Sequence, residues 1–413
     1  MSFRKRSEPL VPGRGIPRGS PTVPGRAPLA GRAPPGAALG RVPAAATPKK
    51  PETRDIIAEN PGVRPSVSNS EPTVSTGCPD LDKLLIHSGL PLGHSLIVEE
   101  SGTTDYSSVL LRAFAAQGII HSRLEKGKDH CHVIAIGVPA AWANNLPGVY
   151  KGSSKDQKKA RIAADSSKVS VSNMADKDLK IAWRYGLKNQ NNPEEEPETP
   201  DSHLENYTTQ FDITQRLIPG ASPQEISFVP LSNHFQSVVA QIKSIIQSQL
   251  ENSPSKVIRL VMPSFLNPSL YPPQASASTF IIPFFHSLQS LLRQYQSNVA
   301  LIASLPLDLY PRGSVLTQFF ESLADGVVHL QPFNRDMELL IEKAYKNEPS
   351  KIQQGFVNII KVPILSAKGM MMIRNGEYAF KNGRKNFEIE EWGIPVEDDT
   401  PDDQQQTTQN VDF

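Results

Sequence analysis

Glu99, Glu100, Ser101, Gly102, Thr103, Thr104, Asp105 and Tyr106 stand where an apolar run, SLIVEE (95–100), gives way to a helix-forming one. In that strand–turn–helix setting a G-x-x-x-x-G-K-[ST] loop cradles phosphates: backbone N–H groups and the Lys hold the anion, and the hydroxyl ligates magnesium. Set against that pattern, Glu99 and Thr104 replace the two glycines, Asp105 replaces the Lys, and Tyr106 replaces the magnesium ligand. A carboxylate ~4 Å from a phosphate repels it by about 4 kcal/mol at an effective dielectric of 20. The turn is not expected to hold a nucleotide in the usual way. Asp105 reads better as a helix N-cap, its carboxylate accepting free backbone N–H groups and occupying the place of an anion.

Other catalytic parts are missing from the places where such a fold needs them. The run VIRLVM (257–262) ends at Pro263 and Ser264 rather than at a magnesium-orienting Asp. CHVIAIG (131–137) ends at Gly137, Val138 and Pro139, with no carboxylate to activate water. His130 and His132 share a strand face, but a metal needs three or four ligands, and no partner cluster is visible. Asp82, His87 and Ser88 match a triad by type alone, without a nucleophile elbow. Trp142, Trp183 and Trp392 read as packing residues. No catalytic residue and no metal ligand is assigned.

The elements that position this turn alternate. Expected strands at 95–100, 131–137, 257–262, 298–304, 326–331 and 356–362 are interleaved with helices over about 105–125, 231–251, from Pro283 onward, and 315–324. The helix at 231–251 carries Phe235, Val238, Val239, Ile242, Ile245, Ile246 and Leu250 at helical spacing. VIRLVM is a near-continuous apolar run, as in a strand covered on both faces. YAFKNGRKNFEIE (378–390) predicts a terminal hairpin about Asn382-Gly383. The expectation is an α/β fold with a twisted, mostly parallel sheet, helices on both faces, and an antiparallel C-terminal extension at its edge.

Composition brackets this body with two tails. The chain has 413 residues, 38% of them hydrophobic, and its 37 prolines are nearly twice the usual share of ~5%. Lys and Arg (43) almost balance Asp and Glu (42), but residues 1–50 hold only Glu8 against many basic residues, and no basic residue follows Lys385. Residues 1–71, rich in Pro, Gly and Arg, are expected to be a disordered basic tail, and 396–413 a disordered acidic one. Between them, 72–395 forms one domain, with largely disordered insertions at about 150–178 and 188–206. The apolar LKIAWRYGL (179–187) between the insertions is expected to dock back on the core. Two cysteines, Cys78 and Cys131, exclude a disulfide framework and suit a reducing compartment. MSFRKRSEPLVPGRG lacks the apolar core of a secretory signal, and no apolar run is long enough to span a membrane. A soluble intracellular protein is expected.

The stretch TGCPDLDKLLIHSGLPLGHSLIVEESGTTDYSSVLL (76–111) carries T-G-x-x-x-L-D-x-L-L followed by G-L-P-x-G, and resembles the opening of RecA-like ATPase domains. EESGTTDY, KIAWRY (180–185), FDITQRL (211–217), RLVMPSF (259–265) and EIEEWGIPVED resemble the Elongator complex protein 4 family, and MSFRKR its fungal members. The likeness covers roughly 72–398 in islands. It implies a RecA-like subunit that forms a heterohexameric ring with complex proteins 5 and 6, in cytoplasm and nucleus. Such a ring binds tRNA, releases it in an ATP-dependent way, and supports 5-carboxymethyluridine-type modification of the wobble uridine (U34) by the catalytic Elongator subcomplex. The family lacks a normal phosphate loop, so no cofactor is expected on this chain alone, while ATP at ring interfaces stays open. The loops after the two central strands, Leu266–Thr279 and Pro306–Ser314, would face the pore. There Tyr310 and Arg312 suit RNA bases and phosphate, although Arg312 could equally pair with a neighbouring subunit, and Tyr271 could anchor an interface. A working NTPase and a purely structural subunit are the alternatives.

Overall fold

A computed structural model describes residues 56–125, 127–152, 207–346, 349–363 and 377–393. Residues 1–55 of the basic tail, the whole acidic tail and LKIAWRYGL lie outside the described residues, as do the expected insertions apart from Tyr150–Gly152. The described fold includes residues that the composition reading assigned to the tail. Residues 56–71, assigned to the tail, contain helix α1 (Ile56–Glu59) and strand β1 (Val63–Pro65). Strand β1 pairs with β2 (Pro72–Val74), which pairs with β3 (Leu90–Pro91), while α2 (Pro79–Leu84) lies between the last two. Asn60 explains the anchoring: its amide donates to the carbonyls of His130 and Ser255.

The sheet is built from β4 (Ser95–Glu100), followed by α3 (Tyr106–Ser122), and β5 (Cys131–Ile136). A short ribbon, β6 (Pro147–Val149) and β7 (Phe211–Arg216), precedes β8 (Ile226–Val229). Then come α4 (Phe235–Asn252), β9 (Val257–Met262), α5 (Ser278–Gln294), β10 (Val299–Pro306), α6 (Val315–Leu323) and β11 (Gly326–Pro332). Helix α7 (Arg335–Ala344) leads to β12 (Gly355–Lys361), β13 (Tyr378–Asn382) and β14 (Phe387–Glu391). The nine strands lie in the order β14-β13-β12-β11-β4-β10-β9-β5-β8. Pairing from β11 to β8 is parallel, and from β11 to β14 antiparallel.

Side-chain alternation divides the core. Leu96, Val98, Val133, Val261 and Ile302 face α3, whereas Ile97, Ile134, Leu260, Leu301 and Val327 face α4, α5 and α6. Central strands must therefore be apolar on both sides, which is why they read as continuous apolar runs. On the second side Phe320 stands in edge-to-face contact with Phe265 and Phe285, each ring centroid 5.1 Å away.

Three expectations need correction. Helix α5 starts at Ser278 and carries Pro283 in its interior, because Ala277 accepts the first-turn N–H of Phe280 and Ile281. The sequence reading began this helix only at Pro283. The segment 356–362, counted among the alternating strands, pairs antiparallel, so the C-terminal extension has three strands. The terminal hairpin turns through Gly383–Asn386, with the Gly383 N–H donating to the Asn386 carbonyl, rather than through two residues. The sequence reading did not foresee β6–β8 or α7. Among the described residues no helix is long and apolar enough to cross a membrane.

Phe320→Ala removes a fully buried ring from this aromatic cluster. It is expected to lower unfolding free energy by about 3–5 kcal/mol, measured in urea. Val315→Ala, at an 84% exposed position of the same helix, should change it by less than about 0.5 kcal/mol.

Candidate functional site

Strand β4 delivers two consecutive carboxylates to opposite faces of the sheet. Glu100 points toward the start of α3. Its Oε1 accepts from the Tyr106 N–H at 2.8 Å and from the Thr104 hydroxyl at 2.7 Å, and its Oε2 accepts from the Ser107 N–H at 2.8 Å. These are the donors a helix start offers to a phosphate. The capping carboxylate is therefore Glu100. Asp105 occupies the N-cap position but makes no side-chain cap hydrogen bond, which corrects the sequence reading. Partial burial raises the Asp105 pKa above the ordinary carboxyl range, opposed by Arg112 and Ser108 and reinforced by Glu100.

The rest of the turn is tied to its neighbours. Gly102, at φ +91°, uses a conformation that L side chains rarely adopt, and its N–H donates to Asp308 at 3.0 Å. The Ser101 N–H reaches the Leu330 carbonyl, and its hydroxyl lies 2.8 Å from His329 Nε2. Burial, then Arg312, lower the His329 pKa. Ser264, standing where a magnesium-orienting Asp was sought, donates its N–H to the Ser304 hydroxyl at 2.8 Å. The cavity beside the turn measures about 250 Å³ and is lined by Glu100, Asp105, Thr104, Ser264, Asn267 and Ser304, among others, with no basic side chain among the described residues. A nucleotide phosphate does not fit these residues.

Glu99 points the other way and is fully buried. Its carboxylate lies 3.4 Å from Arg312 Nε, which also donates to Glu321 at 2.8 Å. Burial, then the neighbouring Glu321, push the Glu99 pKa up to about 8 against the pull of Arg312. Tyr310 donates its hydroxyl to the Leu266 carbonyl at 3.0 Å and packs half-buried on the second core. The two expected pore loops are thus joined by Tyr310, and Arg312 is held to the sheet with its side chain 36% exposed. Tyr271 is buried, edge-on to Phe265.

The remaining sequence candidates separate. The Asp82 carboxylate takes Ser75, Thr76 and Thr208, and its pKa is raised by burial, whereas His87 Nδ1 lies 2.6 Å from the Ser66 hydroxyl. The Ser88 carbonyl accepts from Tyr207. His132 contacts the Gln224 carbonyl and the Ser227 hydroxyl, and His130 lies near Glu125. Among the described residues no three His, Cys, Asp or Glu side chains are grouped for a metal. Trp142 packs on the first core, Trp392 meets Phe333 at a tilt and Phe356 edge-to-face, and Trp183 lies outside the described residues.

The sequence reading missed Arg259. It lies fully buried within β9, donating to the carbonyls of Ser75 and Phe114, with its guanidinium 4.5 Å from the Phe114 ring centroid. A Cβ at Gly118 would come within 2.7 Å of its Cδ, so glycine there makes room for it. The signal was a single Arg in an otherwise apolar run. Together with Asp82, which folds Thr76 onto α2, Arg259 fixes the T-G-x-x-x-L-D segment against α3.

Fold and site together define an α/β protein with a large mixed sheet and a phosphate-loop-like turn filled by its own carboxylate. The PAXNEB protein family matches residues 57–412. Elongator complex protein 4 of Saccharomyces cerevisiae is 39% identical over 435 aligned residues, spanning 96% of this chain and 92% of that protein. The Schizosaccharomyces pombe protein of the same name is 29% identical, spanning 85% and 95%, and the Homo sapiens one 27%, spanning 81% and 79%. The chain belongs to the Elongator complex protein 4 family.

Glu100→Ala leaves two helix-start N–H groups without their acceptor and should cost about 1–3 kcal/mol in urea unfolding. Asp105→Ala should cost less than about 0.5 kcal/mol, and equal losses for the two would refute the assignment of the cap. Glu99 has a separate signature in pH. Its pKa is higher folded than unfolded, so the folded state holds the extra proton between about 4.5 and about 8. Its contribution to stability is present below pH 4.5 and is lost as pH rises through 8. Glu99→Gln should flatten that slope and raise the melting temperature relative to wild type above pH 8.

Proposed function

We propose that this chain is a non-catalytic, RecA-like subunit of the Elongator complex. In this reading it joins complex proteins 5 and 6 in a heterohexameric ring that binds tRNA. The ring supports 5-carboxymethyluridine-type modification of wobble uridine U34, carried out by the catalytic Elongator subcomplex in cytoplasm and nucleus. The observation that carries the non-catalytic part is the Glu100 carboxylate on the helix-start donors. A phosphate would have to displace it and then face Asp105. ATP chemistry, where the ring performs it, is assigned to interfaces between subunits.

Tyr310 and Arg312 are assigned to the tRNA face, since their loop follows β10 at the carboxyl end of the parallel strands, where open α/β sheets place ligands. One observation favours a second reading, a scaffold subunit without RNA contact: Arg312 is already paired with Glu99 and Glu321.

Co-expression with the two partner proteins, with ring mass and tRNA affinity measured on wild type and Arg312→Ala, decides between these readings. A hexamer of unchanged mass whose tRNA affinity falls several-fold, with the salt dependence shallower by about one charge, supports the pore role. Unchanged affinity leaves the scaffold reading. Failure to form a hexamer overturns the ring, and saturable nucleotide binding by the isolated chain overturns the non-catalytic assignment.

A further inference from the structure

A second cavity shares Asp105 and Ser264 with the one beside the turn and measures about 300 Å³. It opens at the carboxyl ends of β5 and β9, since residues just after both strands line it. Helix α3 contributes Arg112, seven residues beyond Asp105 and so on the same helix face. Arg112 is half-buried, and its buried Nε has no hydrogen-bond partner. Among the described residues no hydrogen bond or ion pair engages its guanidinium. A guanidinium carries five donors and keeps its charge in proteins. Left unpaired and partly out of water, it marks a place prepared for an anion.

The opposite wall is the 3₁₀ turn Ala140–Asn145 that follows β5. Trp142 packs half-buried against the first core and also lines the cavity. Its backbone N–H donates to the Pro139 carbonyl at 3.0 Å, and the Leu146 carbonyl accepts from the Leu217 N–H at 2.9 Å, so the turn carrying the indole is fixed at both ends. Asn145 presents an exposed amide, and exposed Leu270 adds an apolar rim. A free cation, an aromatic ring and an amide around one small space are the parts that receive an unstacked nucleotide, with phosphate on the guanidinium and base on the ring. A carboxylate side chain from a protein partner fits less well. It has only acceptors and would meet Asp105 as well as Arg112, whereas a ribonucleotide brings base N–H groups and a 2′-hydroxyl that Asp105 can accept.

We infer that the cleft between Arg112 and Trp142 seats one single-stranded nucleotide of an RNA strand. The inference deepens the proposed tRNA binding and rests on it in one respect, that the macromolecule meeting this face is RNA. The cleft adjoins the face already assigned: Ser264 and Leu270 belong to the loop after β9, whose Leu266 carbonyl accepts the Tyr310 hydroxyl. A phosphate on Arg112 lies roughly 10 Å along α3 from the filled turn, at 1.5 Å per residue, and leaves Glu100 in place. The further phosphates of a free nucleoside triphosphate would have to run back along Asp105 and Glu100.

Titration of a fluorescently labelled short oligouridylate with the full chain, at several salt concentrations, tests the cleft without the ring. Arg112→Gln is expected to weaken binding several-fold and to make the salt dependence shallower by about one charge. Trp142→Ala should weaken it at least about fivefold with the salt dependence unchanged, and Trp142→Phe, which keeps an aromatic face on the same packing, should restore most of the loss. No saturable binding by wild type overturns the inference, as does wild-type affinity in both Arg112→Gln and Trp142→Ala. A loss in Trp142→Phe as large as in Trp142→Ala makes the ring structural and overturns it too. Displacement of the oligonucleotide by equimolar ATP assigns the cleft to a free nucleotide, and failure of the co-expressed ring to assemble with Arg112→Gln assigns the guanidinium to a protein carboxylate; either result overturns the RNA seat. The proposed function fails separately: a wild-type ring without tRNA affinity, beside a full chain that binds the oligonucleotide through Arg112 and Trp142, removes that reading and leaves the cleft.

Discussion

A carboxylate sits on the first free N–H groups of α3, and the architecture of the strand ends follows from it. A helix start presents unsatisfied donors and a partial positive charge that require an anion or an equivalent set of acceptors. Here the acceptor is covalent: Glu100 belongs to the strand that feeds the helix, so it is always present and carries no association cost. With the charge balanced internally, neighbouring loops have no need of the cations that a phosphate site requires. The cavity beside the turn is lined instead with carboxylates, hydroxyls and an amide. Asp308 and His329 then fix the turn to the loop after β10 and to β11.

The partner of that carboxylate in the sequence acts on the opposite face. Because alternate residues of a strand point to opposite sides, Glu99 enters the core above α6 while Glu100 reaches α3. Burial without hydrogen-bond donors makes Glu99 a poor anion, and Glu321 worsens this, so Arg312 is drawn toward both. Two adjacent glutamates therefore set the positions of two different loops. One seals the helix start, and the other holds the β10–α6 connection against the sheet. Tyr310 extends the second linkage to Leu266, so the loops after β9 and β10 are coupled through a single hydroxyl.

Most of the framework was legible because it rests on local pattern. Continuous apolar runs gave the central strands, and helical spacing gave α4. What escaped depended on contacts distant in sequence. Residues 56–71 look like tail by composition, yet Asn60 is held by carbonyls of residues 130 and 255. Arg259 was lost inside an apolar strand because its partners, Ser75 and Phe114, come from other elements. At the turn, the sequence reading chose the wrong acid: Glu100, not Asp105, accepts the helix-start N–H groups. Asp105 occupies the N-cap position that helix statistics favour, whereas Glu100 has the longer side chain and a strand-end position from which to span the turn. Local capping rules do not see an acceptor that arrives from the preceding strand.

A turn closed by its own carboxylate also changes what the surrounding strand ends can do. In an open α/β sheet the loops after the parallel strands border the crevice where ligands bind. Here the same loops are fixed by internal contacts: Glu100 at α3, Asp308 to Gly102, Ser304 to Ser264, and Glu99 with Glu321 to Arg312. A surface ordered in advance loses less conformational entropy on association than one ordered by a ligand. The strand-end loops of this sheet therefore take their positions from the chain's own carboxylates and hydroxyls, before any partner is met.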